Sequence, residues 1–301
     1  MPNAKEVLRR ISSIQDTMKI TNAMYLISSS KLRTAKKNME GVSDYFRTMQ
    51  EVIRDILMQM PELKHRYFDN DVEHKNYEAK RAYVIITSDK GLAGSYNQAV
   101  IKHVEDKLSR YKNATLYVIG QVGYHHFEKS GYAMERDFIY SSKQPSLQRA
   151  RNITMDIIDL YESGKVDEVY VMYTKMETPT VARPHSIKLL PLNRVDFEKS
   201  DAEEYCRQTA FFPSPEAVMD EVAPIYMHGI IFSAMTESYS AELSARMSAM
   251  DAARKNAEEM IRELKLVYNR TRQAAITNEI TEVVSGAKAF QSRRKSAMKN
   301  K

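Results

Sequence analysis

Residues 11–60 decide the fold, and they read ISSIQDTMKITNAMYLISSSKLRTAKKNMEGVSDYFRTMQEVIRDILMQM. Apolar side chains recur in this stretch at alternating steps of three and four residues. The series runs Ile11, Ile14, Met18, Thr21, Tyr25, Ser28, Leu32, Ala35, Met39, Val42, Phe46, Met49, Ile53, Ile56 and Met60. Only Thr21 and Ser28 break the apolar rule. A period of 3.5 held over about seven heptads predicts a left-handed coiled-coil seam along one long helix.

The C-terminal third carries a second stripe, rich in Ala and Ser, whose larger members are Leu243, Met247, Met250, Ala257, Ile261, Leu264 and Tyr268. At about 1.5 Å per residue the first helix would be about 85 Å long, which is more than one globular core covers. Both ends are almost free of helix breakers: Gly41 is alone between Pro2 and Pro61, and Gly229 between Pro224 and Gly286. We therefore predict that the two terminal helices pair antiparallel. Two separate amphipathic helices on a globular core are the alternative.

The centre of the chain has the alternation of an α/β domain. Short apolar, β-branched runs predict strands at Ala82–Thr87, Ala114–Gly120, Asp167–Tyr173 and Ser186–Leu192. Helices are predicted near Ala99–Tyr111, Gln121–Gly131 and Leu147–Glu162. This order favours a mostly parallel, Rossmann-like sheet. The charged stretch His65–Lys80 is expected to be an exposed connection.

The predicted fold class is therefore α/β with long helices: an antiparallel coiled coil of the N- and C-terminal helices plus a Rossmann-like α/β domain. The predicted boundaries are 1–64 for the N-terminal coiled-coil helix, 65–200 for the α/β domain, 201–290 for the C-terminal coiled-coil helix and 291–301 for a basic tail.

Composition excludes several classes of protein. The 301 residues carry 45 Lys+Arg against 39 Asp+Glu, and 43% are hydrophobic, so global disorder is excluded. One cysteine cannot form an internal disulfide. No apolar run reaches the roughly 20 residues of a membrane span, and charges interrupt the N-terminus where a signal peptide would be apolar. We expect a soluble intracellular protein, with peripheral membrane attachment left open.

The turn Ser88–Asn97, SDKGLAGSYN, falls between a predicted strand and a predicted helix. Helix N-terminal amides attract phosphates at such a turn. Its two glycines are spaced G-x-x-G, however, which matches neither a dinucleotide fingerprint nor a P-loop. A tight βα turn that binds no nucleotide is the favoured interpretation.

Other candidate chemistry is weak. His125 and His126 are adjacent, with Glu128 nearby, but neighbouring residues on a helix do not face one point. Cys206 has no base beside it in sequence and fits a packed or surface thiol better than a nucleophile. No hydrolase, zinc-protease or paired-carboxylate signature occurs. We predict no catalytic residue, no metal and no cofactor.

Positive charge is concentrated at the two ends. Met1–Glu40 holds eight Lys+Arg against three acids, and Gln291–Lys301 holds five bases and no acid. The aromatic and basic surface of a nucleic-acid reader is missing, so no nucleic-acid partner is predicted. Basic ends suit an acidic protein partner, or the tail is simply solvated.

Three stretches resemble the γ subunit of F-type, proton-translocating ATP synthases of the bacterial type. They are Arg9–Arg33 with its KITNAM and KLR motifs, TSDKGL through Asn97, and the longest one, from Ala245 to Ala287. The last contains ARMSAMDAA, LKLVYN, RQAAIT and EITEVVSGA. Their order and spacing match this family over essentially the whole chain.

The resemblance implies a central-stalk rotor that couples proton-driven rotation of a membrane ring to ATP synthesis at the β subunits and regulates ATP hydrolysis. Implied partners are the α and β subunits of the ATPase ring, the ε subunit and the membrane ring of c subunits, with one copy per complex. The chain would be a non-catalytic subunit without a cofactor, peripheral on the cytoplasmic side of a bacterial plasma membrane. A first motif within ten residues of Met1 leaves no room for a transit peptide, which favours a bacterial source.

Matching family positions imply contacts with the α/β ring at Lys19, Met24, Lys31, Arg246, Gln273 and Thr277. Ordinary coiled-coil packing or a solvated face is the alternative for each. The segment that joins sheet to shaft suggests a foot that meets the ε subunit and membrane ring, at Glu203, Glu204, Phe211 and Phe212. A structural linker is the alternative there.

This chain departs from the family pattern in two places. The second glycine stretch reads Gly94-Ser95-Tyr96-Asn97, and the chain extends past Gly286 into the basic tail. A coiled-coil scaffold or adaptor with an α/β head is the runner-up function. A nucleotide-binding α/β enzyme with helical arms is a third.

Overall fold

The structure is a computed structural model, and it describes residues 4–68, 79–111, 113–178, 181–198 and 210–299. Side chains at 198 and 289–299 are outside the description. The elements are α1 (Ala4–Gln59), β1 (Arg81–Ile86), α2 (Tyr96–Leu108), β2 (Ala114–Ile119), α3 (Gln121–Ser130), α4 (Leu147–Glu162), β3 (Glu168–Met176), β4 (Ala182–Leu190), α5 (Val195–Glu198) and α6 (Pro215–Lys299).

The described residues divide into two units. One comprises the residues up to Tyr25 together with those from Met250 onward, and the other is Leu26–Ala249. Helices α1 and α6 contribute residues to both units.

In the Leu26–Ala249 unit, a four-stranded sheet has the order β2-β1-β3-β4. The first three strands are parallel, and β4 joins β3 antiparallel at the edge. This confirms the mostly parallel, Rossmann-like sheet. The edge strand begins at Ala182, four residues before its predicted start, because its first half is exposed and polar and gives no apolar signal.

Strand β1 is buried on both faces, and its alternate residues enter two different cores. Ala82, Val84 and Ile86 face a large core that also contains residues of α1, α4 and α6. Tyr83 and Ile85 face a smaller core with α2 and α3. The sheet is therefore a middle layer, with the two long helices on one side of it.

The two long helices pair antiparallel, as predicted. In the Leu26–Ala249 unit, Phe46 lies beside Phe232, with ring centroids 6.4 Å apart, and Ala35 clusters with Tyr239 and Leu243. In the other unit, Val7 and Ile11 of α1 are buried with Ile261 of α6. Every member of the 3.5-residue series from Ile11 to Met60 is buried or half-buried, and none is exposed.

Helix α6 extends past the expected breakers. It begins with Pro215 at its first position, where a missing N–H costs nothing, and it contains Pro224 and Gly286 within its length. The basic tail is part of this helix as far as Lys299.

The prediction of an exposed connection at His65–Lys80 holds for Arg66 and Lys80 but is wrong for the other four residues that the structure describes there. His65, Tyr67, Phe68 and Ala79 are all buried. Tyr67 donates a 2.6 Å hydrogen bond to Glu162 at the end of α4, and Phe68 packs on Phe197. The gain from burying the rings of Tyr67 and Phe68 in the large core exceeds the tendency of the neighbouring charged residues to stay in water.

Candidate functional site

The strongest candidate surface lies on the C-terminal part of α6. Residues 275–288 are all exposed. Four of them are large and apolar: Ile276, Ile280, Val283 and Val284. At about 100° per residue, these four cover an arc of about 100° on the helix. We call this set the α6 apolar stripe.

Gln273 and Thr277 lie on the same face as the α6 apolar stripe, within an arc of about 120° for all six residues. Both side chains are exposed. The Thr277 hydroxyl donates to the Gln273 main-chain carbonyl at 2.9 Å. These two predicted ring-contact residues therefore combine with an apolar surface, which is the usual composition of a protein interface.

Helix α1 also has exposed aliphatic side chains that the seam series does not include: Leu8 and Ile20 in one unit, and Leu26 and Ile27 in the other. Sequence reasoning missed these residues because only the seam positions were followed. Apolar residues outside the heptad seam were the available signal, since a coiled coil leaves such positions to solvent or to a partner.

The predicted contact residues on α1 lie in different surroundings. Lys19 is 77% exposed and pairs with Asp16 at 3.0 Å along the helix. Met24 is half-buried. Lys31 is exposed and lines a cavity of about 340 Å³ together with Gln144 and Tyr239.

Arg246 differs from the other predicted contacts because it is only 8% exposed. Its guanidinium donates to Glu242 at 2.6 Å. It also donates to the main-chain carbonyls of Lys90 and Gly91, at 3.2 and 3.1 Å. Burial raises the pKa of the Glu242 carboxyl, and Arg246 opposes that shift. The side chain thus connects α6 to the turn after β1.

That turn uses its polar groups within the chain. The Asn97 amide oxygen accepts from the Ser88 main-chain N–H at 2.9 Å. The Asp89 carboxylate accepts from the main-chain N–H groups of Gln121 and Ser142. A carboxylate therefore already occupies the N-terminus of α3. These hydrogen bonds close the turn on itself and join it to α3.

The Ala- and Ser-rich stripe of α6 packs partly inside the chain. Ser238, Ser240 and Ala241 are buried, whereas Ser248 and Ala252 are exposed. The Ser238 hydroxyl accepts from the main-chain N–H of Thr174 at 2.9 Å. The buried half of the stripe lets the α/β domain approach closely, so only its exposed half is available to another chain.

The remaining predicted sites either do not form a metal-binding group or lie outside the residues that the structure describes. Among the described residues, no three His, Cys, Asp or Glu side chains are grouped as a metal site would need. His126 pairs instead with Glu105 at 2.9 Å, and His125 with Glu128 at 3.9 Å. Glu203, Glu204 and Cys206 lie outside the described residues.

The two foot phenylalanines have opposite surroundings. Phe211 packs against the large core, and Phe212 is 91% exposed immediately before α6. No helix in the described ranges has both the length and the apolarity of a membrane span.

Solved structures share this fold. The central stalk and c-ring structure of Tetrahymena thermophila mitochondrial ATP synthase matches with a TM-score of 0.56 at 20% identity, covering 78% of this chain and 99% of that chain. The OSCP/F1/c-ring structure of Euglena gracilis mitochondrial ATP synthase matches with a TM-score of 0.56 at 16% identity, covering 91% of this chain and 96% of that chain. The chain therefore shares its fold with proteins of these two assemblies.

Sequence comparison agrees over the full length. The family model described as ATP synthase matches residues 3–290. The ATP synthase gamma chain of Acetivibrio thermocellus is 38% identical, covering 96% of this chain and all of the relative. That of Ruminiclostridium cellulolyticum is 40% identical, covering 96% and 99%. A relative from Acetobacterium woodii, 35% identical and covering 96% and 99%, is named ATP synthase gamma chain, sodium ion specific. The chain belongs to the ATP synthase gamma chain family.

Proposed function

We propose that this chain is the central-stalk rotor subunit of an F-type ATP synthase. It couples proton-driven rotation of a membrane ring to ATP synthesis at the β subunits, and it regulates ATP hydrolysis. In this role the chain has no catalytic residues and holds no cofactor. The chemistry takes place on the subunits that surround it.

The α6 apolar stripe is the observation that carries this proposal. Ile276, Ile280, Val283 and Val284 form a continuous apolar face on a helix segment that is exposed all round. Exposing such a face to water is unfavourable by about 25 cal/mol per Å² of apolar area, so a surrounding protein surface is expected. A sleeve of α and β subunits would cover it.

The mechanism is control of conformational populations at another chain's active site. The α6 apolar stripe and the exposed aliphatic residues of α1 give the helices faces of different chemistry. Each orientation of the shaft would then make different contacts with a given β subunit and favour its open or its closed state. The coupling cannot exceed the difference in contact free energy between orientations.

The remaining partners are assigned to the other surfaces. The residues predicted to touch the α/β ring are Lys19, Met24, Lys31, Gln273 and Thr277, with Arg246 acting from a buried position. For the foot, Phe212 is proposed to contact the ε subunit or the c-subunit ring, while Phe211 anchors the segment in the core. Glu203 and Glu204 stay predictions. One copy per complex, peripheral on the cytoplasmic side of a bacterial plasma membrane, completes the proposal.

The test is purification of the tagged chain from its native membranes, released by low ionic strength and chelator. The molecular mass of the released complex is measured, and the fraction is assayed for ATP hydrolysis. We expect a large ATPase in which two subunits of similar size are more abundant than this chain. Recovery of the chain alone, or without ATPase activity, would favour the scaffold function instead.

The identity of the coupling ion needs a separate experiment, because one relative is named sodium ion specific. ATP-driven acidification of membrane vesicles is measured with and without sodium. Acidification that is independent of sodium and abolished by a protonophore supports proton coupling. Sodium uptake that resists the protonophore would replace the proton with sodium.

A further inference from the structure

One face of α6 is buried against the α/β domain, within the Leu26–Ala249 unit. Its members follow helical spacing: Ser238, Ala241, Glu242, Ala245 and Arg246. Ala241 is 1% exposed and clusters with Ala93 and Tyr96 of the turn after β1. The turn is therefore seated directly on the helix.

Arg246 provides the polar part of this contact. Its guanidinium bridges three acceptors, the Glu242 carboxylate and the main-chain carbonyls of Lys90 and Gly91. Carbonyl oxygens in a loop are otherwise solvated, so these two bonds fix the loop backbone relative to α6. Arginine suits this role because its planar fork donates in several directions at once.

The opposite side of the loop is fixed as well. Asp89 accepts from Gln121 and Ser142 and pairs with Lys143 at 3.7 Å. Ser88 is closed onto Asn97 by side-chain and main-chain hydrogen bonds. Both ends of the segment 90–92 are thus held by hydrogen bonds to other parts of the chain.

The segment between these anchors is fully exposed. Lys90, Gly91 and Leu92 all have exposed side chains or backbone, and Leu92 is 65% exposed with a φ of +65°. A branched residue rarely adopts this left-handed region and does so only where surrounding contacts impose it. We call residues 90–92 the loop tip.

We propose that Arg246 is a positioning residue that fixes the loop tip to α6, so that Lys90 and Leu92 move together with this segment of the helix. Glu242 holds the guanidinium in place. The proposal rests on the proposed rotor function and gives Arg246 an indirect role in it. A direct contact between Arg246 and a neighbouring subunit is the competing explanation.

Hydrogen exchange on the purified full-length chain tests the positioning role without any partner. Arg246→Gln is expected to speed exchange in peptides covering 88–97 by at least about fivefold, because the Ser88 and Tyr96 amides are hydrogen-bonded within the turn. Peptides covering β2 should not change. Glu242→Gln should act in the same direction, and the double variant should be no worse than Arg246→Gln alone. Unchanged exchange at 88–97 would overturn the proposal.

A reversible crosslink then separates positioning from direct contact. A Cβ placed on Gly94 would lie 3.9 Å from the Ala249 Cβ, within the range of a disulfide. Gly94→Cys with Ala249→Cys, in a Cys206→Ser background, would tie the loop to α6 independently of Arg246. The control is the same cysteine pair with Arg246 intact, which should keep its coupling in the oxidised and reduced states.

In the assembled ATPase, Arg246→Gln is expected to lower ions pumped per ATP hydrolysed by at least about twofold. Oxidation of the cysteine pair should restore that ratio, and reduction should remove it again. Formation of the disulfide without recovery would overturn the proposal in favour of direct contact. Failure of the chain to join any ATPase would instead refute the rotor function, while the exchange result on the isolated chain would stand.

Discussion

The ring of Phe46 lies in the space that a side chain at position 229 would need. A Cβ added to Gly229 of α6 would come within 2.6 Å of the Phe46 Cγ atom. Gly229 has an ordinary helical backbone, so the reason for a glycine here is packing rather than conformation. The close approach of α1 and α6 at this level depends on the absence of one methyl group.

Gly229→Ala should therefore destabilise the protein although it improves helix propensity. Alanine gains about 1 kcal/mol in a helix interior, whereas overpacking costs about 1–3 kcal/mol. The Phe46 ring is rigid and must be displaced to make room for the added methyl group. We therefore expect a lower unfolding midpoint for Gly229→Ala, measured by circular dichroism against temperature or denaturant.

Gly41→Ala is the matched control, because Gly41 is also within a long helix and an added Cβ would meet nothing within 4 Å. It should raise the midpoint by the propensity term. Phe46→Leu combined with Gly229→Ala should cost less than the sum of the two single changes. Equal effects of Gly229→Ala and Gly41→Ala would show that Phe46 can move aside.

The helix pair could be predicted from the sequence because the pattern that specifies it involves residues close together in the chain. Each seam residue lies three or four positions from the next, so the whole series from Ile11 to Met60 is visible without knowing the partner. Strand β1 was visible for the same reason, as an uninterrupted apolar run.

Residues whose environment is set by distant parts of the chain were not predictable in this way. In the sequence, Arg246 looks like an exposed cation on a helix surface. It is buried because its guanidinium contacts the main-chain carbonyls of Lys90 and Gly91, more than 150 residues away. Phe68 sits among charges in sequence, and Phe197 makes it a core residue. The polar half of β4 becomes a strand because β3 offers it hydrogen bonds, not because of its own pattern.

Thr87 controls the junction between β1 and α3, and its hydroxyl should be essential there. The hydroxyl donates to the Ile119 carbonyl and accepts from the Gly123 N–H, each at 3.0 Å, and the residue is fully buried. Thr87→Val keeps the shape but leaves the Gly123 N–H without this acceptor. An unsatisfied buried donor costs about 1–3 kcal/mol, so the free energy of unfolding should fall by that amount in a denaturant titration.

Thr87→Ser serves as the control because it keeps the hydroxyl and removes one methyl group, at about 1 kcal/mol. The valine variant should be the less stable of the two. A valine variant more stable than the serine variant would mean that apolar packing, rather than the hydrogen bond, decides this position.

Stability should fall as the pH falls below about 6.5, and His228 should contribute to the loss. Burial, with Arg151 adding to it, lowers the pKa of His228 below its usual 6.5. Burial also lowers the pKa of His65 and of His103. The folded chain therefore binds fewer protons than the unfolded chain below pH 6.5, and unfolding becomes easier there. Above about pH 7.5 these histidines are neutral in both states and give no further change.

His228→Gln should reduce the difference in unfolding midpoint between pH 7.5 and pH 5.5, measured by thermal unfolding in matched ionic strength. His125→Gln is the comparison, since His125 is an exposed histidine on α3. If both substitutions change the pH dependence equally, burial of His228 is not its source.

Gln273→Ala combined with Thr277→Ala should weaken coupled ATP hydrolysis more than assembly of the complex. Both side chains are exposed on the face of the α6 apolar stripe, and among the described residues the hydrogen bond lost is the one from the Thr277 hydroxyl to the Gln273 carbonyl. Alanine also favours the helix, so the variant should fold and assemble. Loss of two interface contacts of about 1 kcal/mol each predicts a roughly tenfold to thirtyfold fall in the coupled rate. The measurements are steady-state ATPase activity, ATP-driven ion pumping and the amount of assembled complex.

Asn278→Ala with Ser285→Ala is the matched control, because it removes an amide and a hydroxyl from the same exposed segment, on a face about 80–140° away from Gln273 and Thr277. That variant should keep its coupled rate if contact is specific to the stripe. Assembly lost in proportion to activity in the Gln273 and Thr277 variant would make these residues binding anchors, not transmitters of torque. Equal losses in both variants would contradict a contact specific to the stripe and would mean that the whole circumference of α6 is in contact.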